Sequence, residues 1–398
     1  MLWKFTGVVW ACVVVGLIIT EVTYAAGGFS HAPNKNPNWQ VVGAAATAPA
    51  SSQTATASAS TTSATPPANA TPLATAALDT PTATPVATLS PGELAQYKPN
   101  ELGEVMVLMY HAINHDGGDY ATTPDELRGD LQWLYTHDFY VIPAHDYIAD
   151  DIKAPAGKRP VVLTFDDGEV SQFRYLVDAA GNKTIDPDCA VGILQQFFTQ
   201  HPDFGHGGLF AILPLAPFAW PDAASQQPYA KEKIQWLIDN GYEIGNHTVD
   251  HINMKQATND NIKKELAGAV DMMRSFSSEA QMQIIVVPFG EYPKHGDTTL
   301  FEGFDYNGTH YSSIGALMVG ANPGPSPEDQ DFDPYWIPRI RGSRDQIDKW
   351  FRFAEDNPGI LYVSDGNPDT ITVPNQLAQS LAGKLDESKL HGKLLVRY

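Results

Sequence analysis

From Gly103 onward, short apolar runs alternate with stretches whose apolar positions recur every three or four residues. Residues 105–110, 161–165, 209–213, 242–245, 284–287, 316–319 and 360–363 are rich in Val, Ile, Leu or Met and predict buried strands. Helices are predicted between them. Thr123-Pro124-Asp125-Glu126 supplies an N-cap, a Pro at the first helical position and first-turn acids, opening a helix that runs to about His137. Residues 229–240 put Ile234, Leu237 and Ile238 on one face and stop at Gly241. Asn259–Phe276 places Ile262, Leu266, Ala269, Val270 and Met273 at helical spacing. Such alternation predicts one α/β domain with a mainly parallel sheet, open or closed into a barrel, and places ligand chemistry at the C-terminal ends of the strands.

The pattern upstream is of another kind. Lys4 precedes a run, residues 5–19, that is apolar apart from Thr6, and Tyr24-Ala25-Ala26 offers small residues for cleavage. Residues 1–30 therefore read as an export signal, or as a retained membrane anchor if the apolar run is extended to Ala26. Either reading puts the rest of the chain outside the cytoplasm, secreted or held at the cell surface. Residues 31–92 form a linker. Within residues 41–90, forty of the fifty are Ala, Ser, Thr or Pro, and Asp79 is the only charge. With no aromatic ring to bury, that stretch cannot offset its chain entropy and is expected to be disordered. Residues 103–398 are left as the catalytic domain.

Composition narrows the choice of partner. Against 46 Asp+Glu there are 25 Lys+Arg, a net charge of −21, so a basic surface for nucleic acid is excluded. Two cysteines, Cys12 and Cys189, exclude a disulfide framework and a cysteine-based zinc finger.

Two motifs fall at strand ends. The run Val161-Val162-Leu163-Thr164-Phe165 leads straight into Asp166-Asp167-Gly168, two adjacent carboxylates that can divide into a cation ligand and an ionised base. His247-Thr248-Val249-Asp250-His251 follows the strand at 242–245 and carries imidazoles at i and i+4. Alone, the first also reads as a solvated turn and the second as a pair of hydrogen-bonded histidines. Together, one carboxylate and two neutral imidazoles suit a divalent metal, zinc best, with a position left for water. That is the donor set of a metal-assisted hydrolase.

These two motifs resemble the first two motifs of the polysaccharide deacetylases, the NodB-homology enzymes of carbohydrate esterase family 4, and Val287-Pro288-Phe289-Gly290 resembles their third. Leu108-Met109-Tyr110-His111 resembles the opening strand of the extracellular branch. The resemblance covers about residues 103–365 and implies a distorted (β/α) barrel that removes acetyl groups from a polysaccharide of N-acetylhexosamine units. It implies Asp167, His247 and His251 as ligands of a divalent metal, Asp166 as base, and the amide of Phe289 as oxyanion donor. Many members carry an Arg two residues before the aromatic of the third motif, where this chain has Val287. Trp336-Ile337-Pro338-Arg339-Ile340 resembles a later segment of the branch lacking that Arg, so Arg339 is the candidate guanidinium, with a surface ion pair as the alternative. Lys389-Leu390-His391 resembles the closing His motif, and His111 is preferred to it as general acid or substrate contact. Two other activities stay open on the same fold: an O-acetyl esterase of the xylan type, and a carbohydrate-binding protein without hydrolysis. The 80 residues from Asp167 to His247 exceed the compact spacing, and the excess is expected in 182–208, around Cys189.

Overall fold

Side chains on a strand alternate between faces, and here the alternation decides what lies inside the barrel. The computed structural model describes residues 86–375 and 384–398. The export signal or anchor at 1–30 and linker residues 31–85 lie outside the described residues. The last linker residues run into a helix, Pro91–Tyr97, closed by a capping box at Ser90. No helix among the described residues is long and apolar enough to cross a membrane.

Eight parallel strands form the main sheet: β1 (Met106–Tyr110), β2 (Phe139–Val141), β3 (Arg159–Asp167), β4 (Leu209–Ile212), β5 (Glu243–Asn246), β6 (Ile284–Val286), β7 (Gly315–Leu317) and β8 (Ile340–Arg341). Their order is β7-β6-β5-β4-β3-β1-β8, and β2 pairs with the first residues of β3. The two edges meet through one strip of chain. Met318 donates to the Ile337 carbonyl at 2.9 Å and Ile337 to that of Ala316 at 3.2 Å, and three residues on β8 pairs with β1. Residues 337–341 thus bridge β7 and β1, and the sheet is a distorted (β/α) barrel, the fold the motifs implied.

Val107, Val162, Leu209, Ala211, Val286, Leu317 and Ile337 form one buried cluster, the barrel interior. Met106, Leu108, Leu163 and Phe165 belong to another, shared with Leu127, Leu131 and Leu134 of α1 (Pro124–Thr136). The inward row of β3 therefore runs Val162, Thr164, Asp166. On β5, Gly245 faces in, close to Val286 and Ala211, and His247 is the next inward position.

The remaining long helices are α2 (Ala190–Gln200), α3 (Ala230–Asp239), α4 (Asn259–Phe276) and α5 (Arg344–Asp356). One expectation is corrected. Residues 360–363 are not a barrel strand; they make isolated bridges to Asn100 and Glu104, because the edge beside β1 is taken by β8. Residues 182–208 are structured. They contain α2, which packs beside α1 and is capped by the thiol of Cys189 accepting from Gly192 at 3.4 Å. Between Asp167 and His247 the chain also carries an antiparallel hairpin, Tyr175–Val177 with Lys183–Ile185, and the segment 213–229. Lys389-Leu390-His391 lies with Leu390 against Leu102, Ile371 and Val373, in a cluster separate from the barrel interior.

Candidate functional site

Asp166, eighth along a nine-residue strand, is brought inward by alternation and is 1% exposed. A lone carboxylate there would be untenable, and it is met by Arg339 from the closing strip, 0% exposed, which donates to Oδ1 and Oδ2 at 2.7 Å each. Arg339 is itself fixed by Thr164 Oγ1 at 3.0 Å and the Met318 carbonyl at 2.9 Å. The surface-pair alternative for Arg339 is excluded by that burial. Burial pushes the Asp166 carboxyl upward, but the guanidinium's charge and paired hydrogen bonds outweigh it and hold the group well below the usual carboxylate range.

Alternation alone would point Asp167 away from the interior. Its φ of 80°, followed by 68° at Gly168, turns the chain so that the carboxylate reaches the mouth instead. A side chain at Gly168 would also strike Ile212 Cγ2 at 2.9 Å. Left-handed φ values recur at Thr248 (64°), His251 (51°) and Phe289 (58°). Strained backbone of this kind gathers where a fold must aim side chains, and here Asp167, His251 and Phe289 surround one point.

That point lies between Asp167, His247 and His251. Asp167 Oδ1 is 3.4 Å from His247 Nε2 and 3.7 Å from His251 Nε2, and one ligand atom from each residue falls within 4.8 Å of the others. His247 Nδ1 is 2.7 Å from the Val286 carbonyl, which can only accept; the proton therefore sits on Nδ1 and the Nε2 lone pair faces Asp167. Tetrahedral coordination at about 2.0–2.2 Å sets donors roughly 3.3–3.6 Å apart, so the residues present fit a zinc-type ion. Burial pushes the His251 imidazole down to about 4, with the neighbouring His247 adding to it, which keeps that nitrogen free to ligate. Burial raises the Asp167 carboxyl, but the neighbouring His247 outweighs it and leaves the group below its ordinary value.

His111 follows β1, with Nε2 3.9 Å from Asp166 Oδ2. Burial lowers its pKa against the pull of Asp166 and Asp167. Phe289 stands at the other side, its exposed ring 4.3 Å from that of His251. The turn bonds around it are donated by Gly290 and Glu291, not by the Phe289 amide. Asp166, Asp167, His247, His251, His111, Arg339 and Phe289 are thus gathered at one end of the barrel; Lys389-Leu390-His391 is not.

Three contributors carry no motif. Glu265 of α4, 3% exposed, accepts from the amides of Val249 at 3.1 Å and Asp250 at 2.9 Å and so holds the loop between the two histidines. A Glu between Ile262 and Leu266, on the buried side of the helix, is the signal that could have found it. Gln172, wholly buried, donates to the carbonyls of His111, at 3.0 Å, and Asp166, tying β1 to β3. Tyr120 sets its ring edge-on to His111, centroids 5.1 Å apart.

With this geometry in place, residues 206–300 match the family model described as Polysaccharide deacetylase, a span that includes the second and third motifs, and the family resemblance holds. No curated protein matches. Among solved structures, the Streptococcus pyogenes deacetylase PplD in complex with acetate shares 18% identity over 62% of this chain and 97% of its own, with a TM-score of 0.45. IcaB from Ammonifex degensii shares 16% over 64% of this chain and 97% of its own, TM-score 0.42.

Proposed function

We propose, on the premise of a polysaccharide deacetylase resemblance, that the chain is a metal-dependent hydrolase removing acetyl groups from N-acetylhexosamine units of a cell-wall or extracellular polysaccharide. The observation that carries the reading is the division of labour between two adjacent carboxylates: Asp166 is locked by Arg339 inside the barrel, while Asp167 faces two imidazoles at its mouth.

A divalent cation bound by Asp167, His247 and His251 supplies Lewis-acid polarisation of the acetyl carbonyl and of water. The chain's own residues do the rest. Asp166, kept ionised, takes a proton from the attacking water. The Phe289 amide offers a donor to the oxyanion that develops on the acetyl oxygen. When the carbon–nitrogen bond breaks, acetate leaves and the amine nitrogen gains a proton. His111, facing Asp166 across 3.9 Å, is assigned that transfer: burial favours its neutral ring, which relays to the amine the proton that Asp166 took from water. Location outside the cytoplasm rests on the sequence of residues 1–30 and the acidic, linker-borne arrangement, with the N-terminal segment cleaved or kept as an anchor.

The test is acetate release from N-acetylglucosamine oligomers, acetylated xylan and peptidoglycan, each with and without chelator. Chelator-sensitive release from the oligomers or peptidoglycan is expected. Release from xylan alone would make the chain an O-acetyl esterase, and release from none would leave a binding protein.

A further inference from the structure

Burying an aromatic ring is favourable, so rings left in water are informative when they gather in one place. Among the described residues three large aromatic side chains are exposed, Tyr120 at 55%, Trp220 at 61% and Phe289 at 59%. Phe289 leans on His251 and Tyr120 on His111. Trp220 belongs to the loop after β4, which is bonded to the strand end that carries the carboxylates. Leu213 donates to the Asp167 carbonyl at 3.3 Å, Phe218 to that of Gly168 at 2.7 Å, and Val170 to that of Trp220 at 2.9 Å. All three exposed rings therefore border the same mouth.

Between Tyr120 and Trp220 lies a groove of about 680 Å³, mostly apolar, with Asn114, Glu169 and Arg174 among its walls. That is within the usual size of a small-ligand cleft, roughly 300–1,000 Å³. It adjoins the candidate metal site through Tyr120, whose ring touches His111, and through Glu169, two residues from Asp167. Its Trp220 wall is held from behind. Lys233, 0% exposed, donates to the Phe218 carbonyl at 2.7 Å and to Gln226 Oε1 at 2.8 Å, and Gln226 accepts from the Tyr175 amide at 3.1 Å. A platform fixed in this way loses little freedom when a ligand arrives.

The groove's charges decide the occupant. Arg174 is taken by Asp186, and Asp188 is paired with Arg128 at 2.6 Å. Among the described residues Glu169 and Asp119 enter no ion pair, Glu169 accepting from the Ser171 hydroxyl at 3.5 Å, while the Arg341 guanidinium lies over the Tyr120 ring at 5.2 Å from its centroid, so unpaired carboxylates outnumber unpaired cations along the groove. We infer that this groove is a second sugar subsite, seating between Tyr120 and Trp220 a neighbouring ring of the polymer that is uncharged or carries an amine, and turning away anionic rings. The inference rests on the deacetylase reading and adds which part of the chain reads the polymer beyond the reacting unit. Apolar ring faces would stack on the aromatic walls, and Glu169 would accept from a hydroxyl or ammonium.

The experiment has two arms on the full chain. In the first, kcat/KM for acetate release is measured on an N-acetylglucosamine tetramer and on the monomer. Trp220→Ala and Tyr120→Ala should each lower the tetramer-to-monomer ratio by roughly three- to tenfold, the scale of an aromatic contact. In the second, calorimetry measures binding of a fully deacetylated glucosamine tetramer and of a uronate-containing tetramer, to the native chain and both variants. The glucosamine tetramer should bind more tightly, and both variants should weaken it. An unchanged ratio with acetate still released overturns the subsite and leaves the hydrolase standing. If no substrate releases acetate, weakened binding in the variants keeps the subsite and removes the hydrolase, while undiminished binding, or equal binding of the uronate tetramer, overturns the subsite.

Discussion

Asp166 and Arg339 are each removed from water, and neither is tolerable there alone. Breaking a buried ion pair by deleting one member costs about 3–5 kcal/mol, because the survivor is left charged and unsolvated. Arg339→Met should therefore lower the unfolding free energy by about that amount in urea titration, and adding Asp166→Asn should restore most of it. The pH dependence follows in sign. A carboxyl whose folded pKa is depressed stabilises the fold above its unfolded pKa and stops doing so as pH falls through the folded value. In Arg339→Met that depression is lost, so the acid limb of activity should move to higher pH. Asp166→Asn alone leaves the Arg339 charge unpaired and should also lower stability, but its side chain has the same shape; it should keep bound metal and lose roughly 10²-fold or more in turnover, the scale of a missing general base. Loss of metal from Asp166→Asn with metal retained by Asp167→Asn would reverse the two assignments. At this scale the residues carried by motifs, the two aspartates and the two histidines, were legible because each follows an apolar strand directly. Arg339 was legible only through resemblance, with a surface role equally open, since nothing in its own segment announces that residues 337–341 close a barrel. Gln172 was not legible at all: it acts on two main-chain carbonyls, one of them 61 residues away in sequence.

The loop from His247 to Ile252 is the element on which the candidate metal site depends most. It leaves β5 with positive φ at Thr248 and His251, and its amides at 249 and 250 are satisfied by one carboxylate, Glu265. Glu265→Ala leaves those donors without an acceptor and frees His251 to wander. Metal affinity should fall by 10–100-fold, the usual scale for losing a group that orients a ligand, measured by competition with a chromogenic chelator. Glu265→Gln retains an acceptor oxygen and should recover most of it; an unchanged affinity in Glu265→Ala would show that the loop holds itself. The helices Pro124–Thr136 and Asn259–Phe276 were legible to within a residue because caps and apolar periodicity agree. Ala190–Gln200 was missed because a cysteine thiol caps it and the surrounding Gly, Pro and His residues mask its apolar face. Residues 360–363 have the composition of a strand, yet composition does not say which partner edge is already occupied.

At the scale of the whole molecule, the loop carrying Trp220 is tied to the hairpin and α3 through a buried amine. Burial pushes Lys233 down to about 7 from its ordinary 10.5. Between those values the unfolded chain binds the proton and the folded chain does not, so the contribution of Lys233 to stability rises with pH. The difference in unfolding free energy between the native chain and Lys233→Met should therefore move in favour of the native chain from pH 7 to 9.5, and a flat difference would contradict this. The barrel itself was legible as alternating elements; its closure was not, because a strip interrupted by Pro338 makes two short pairings rather than one strand.

The central claim is that Asp167, His247 and His251 hold the cation on which acetate release depends. The most direct measurement is metal content per chain, by elemental analysis, alongside acetate release from N-acetylglucosamine oligomers, in the native chain and in His247→Ala/His251→Ala. The native chain should carry one divalent ion and release acetate, and the double variant should lose both while keeping its fold by circular dichroism. A double variant that keeps a stoichiometric ion, or that releases acetate at the native rate, would contradict the account.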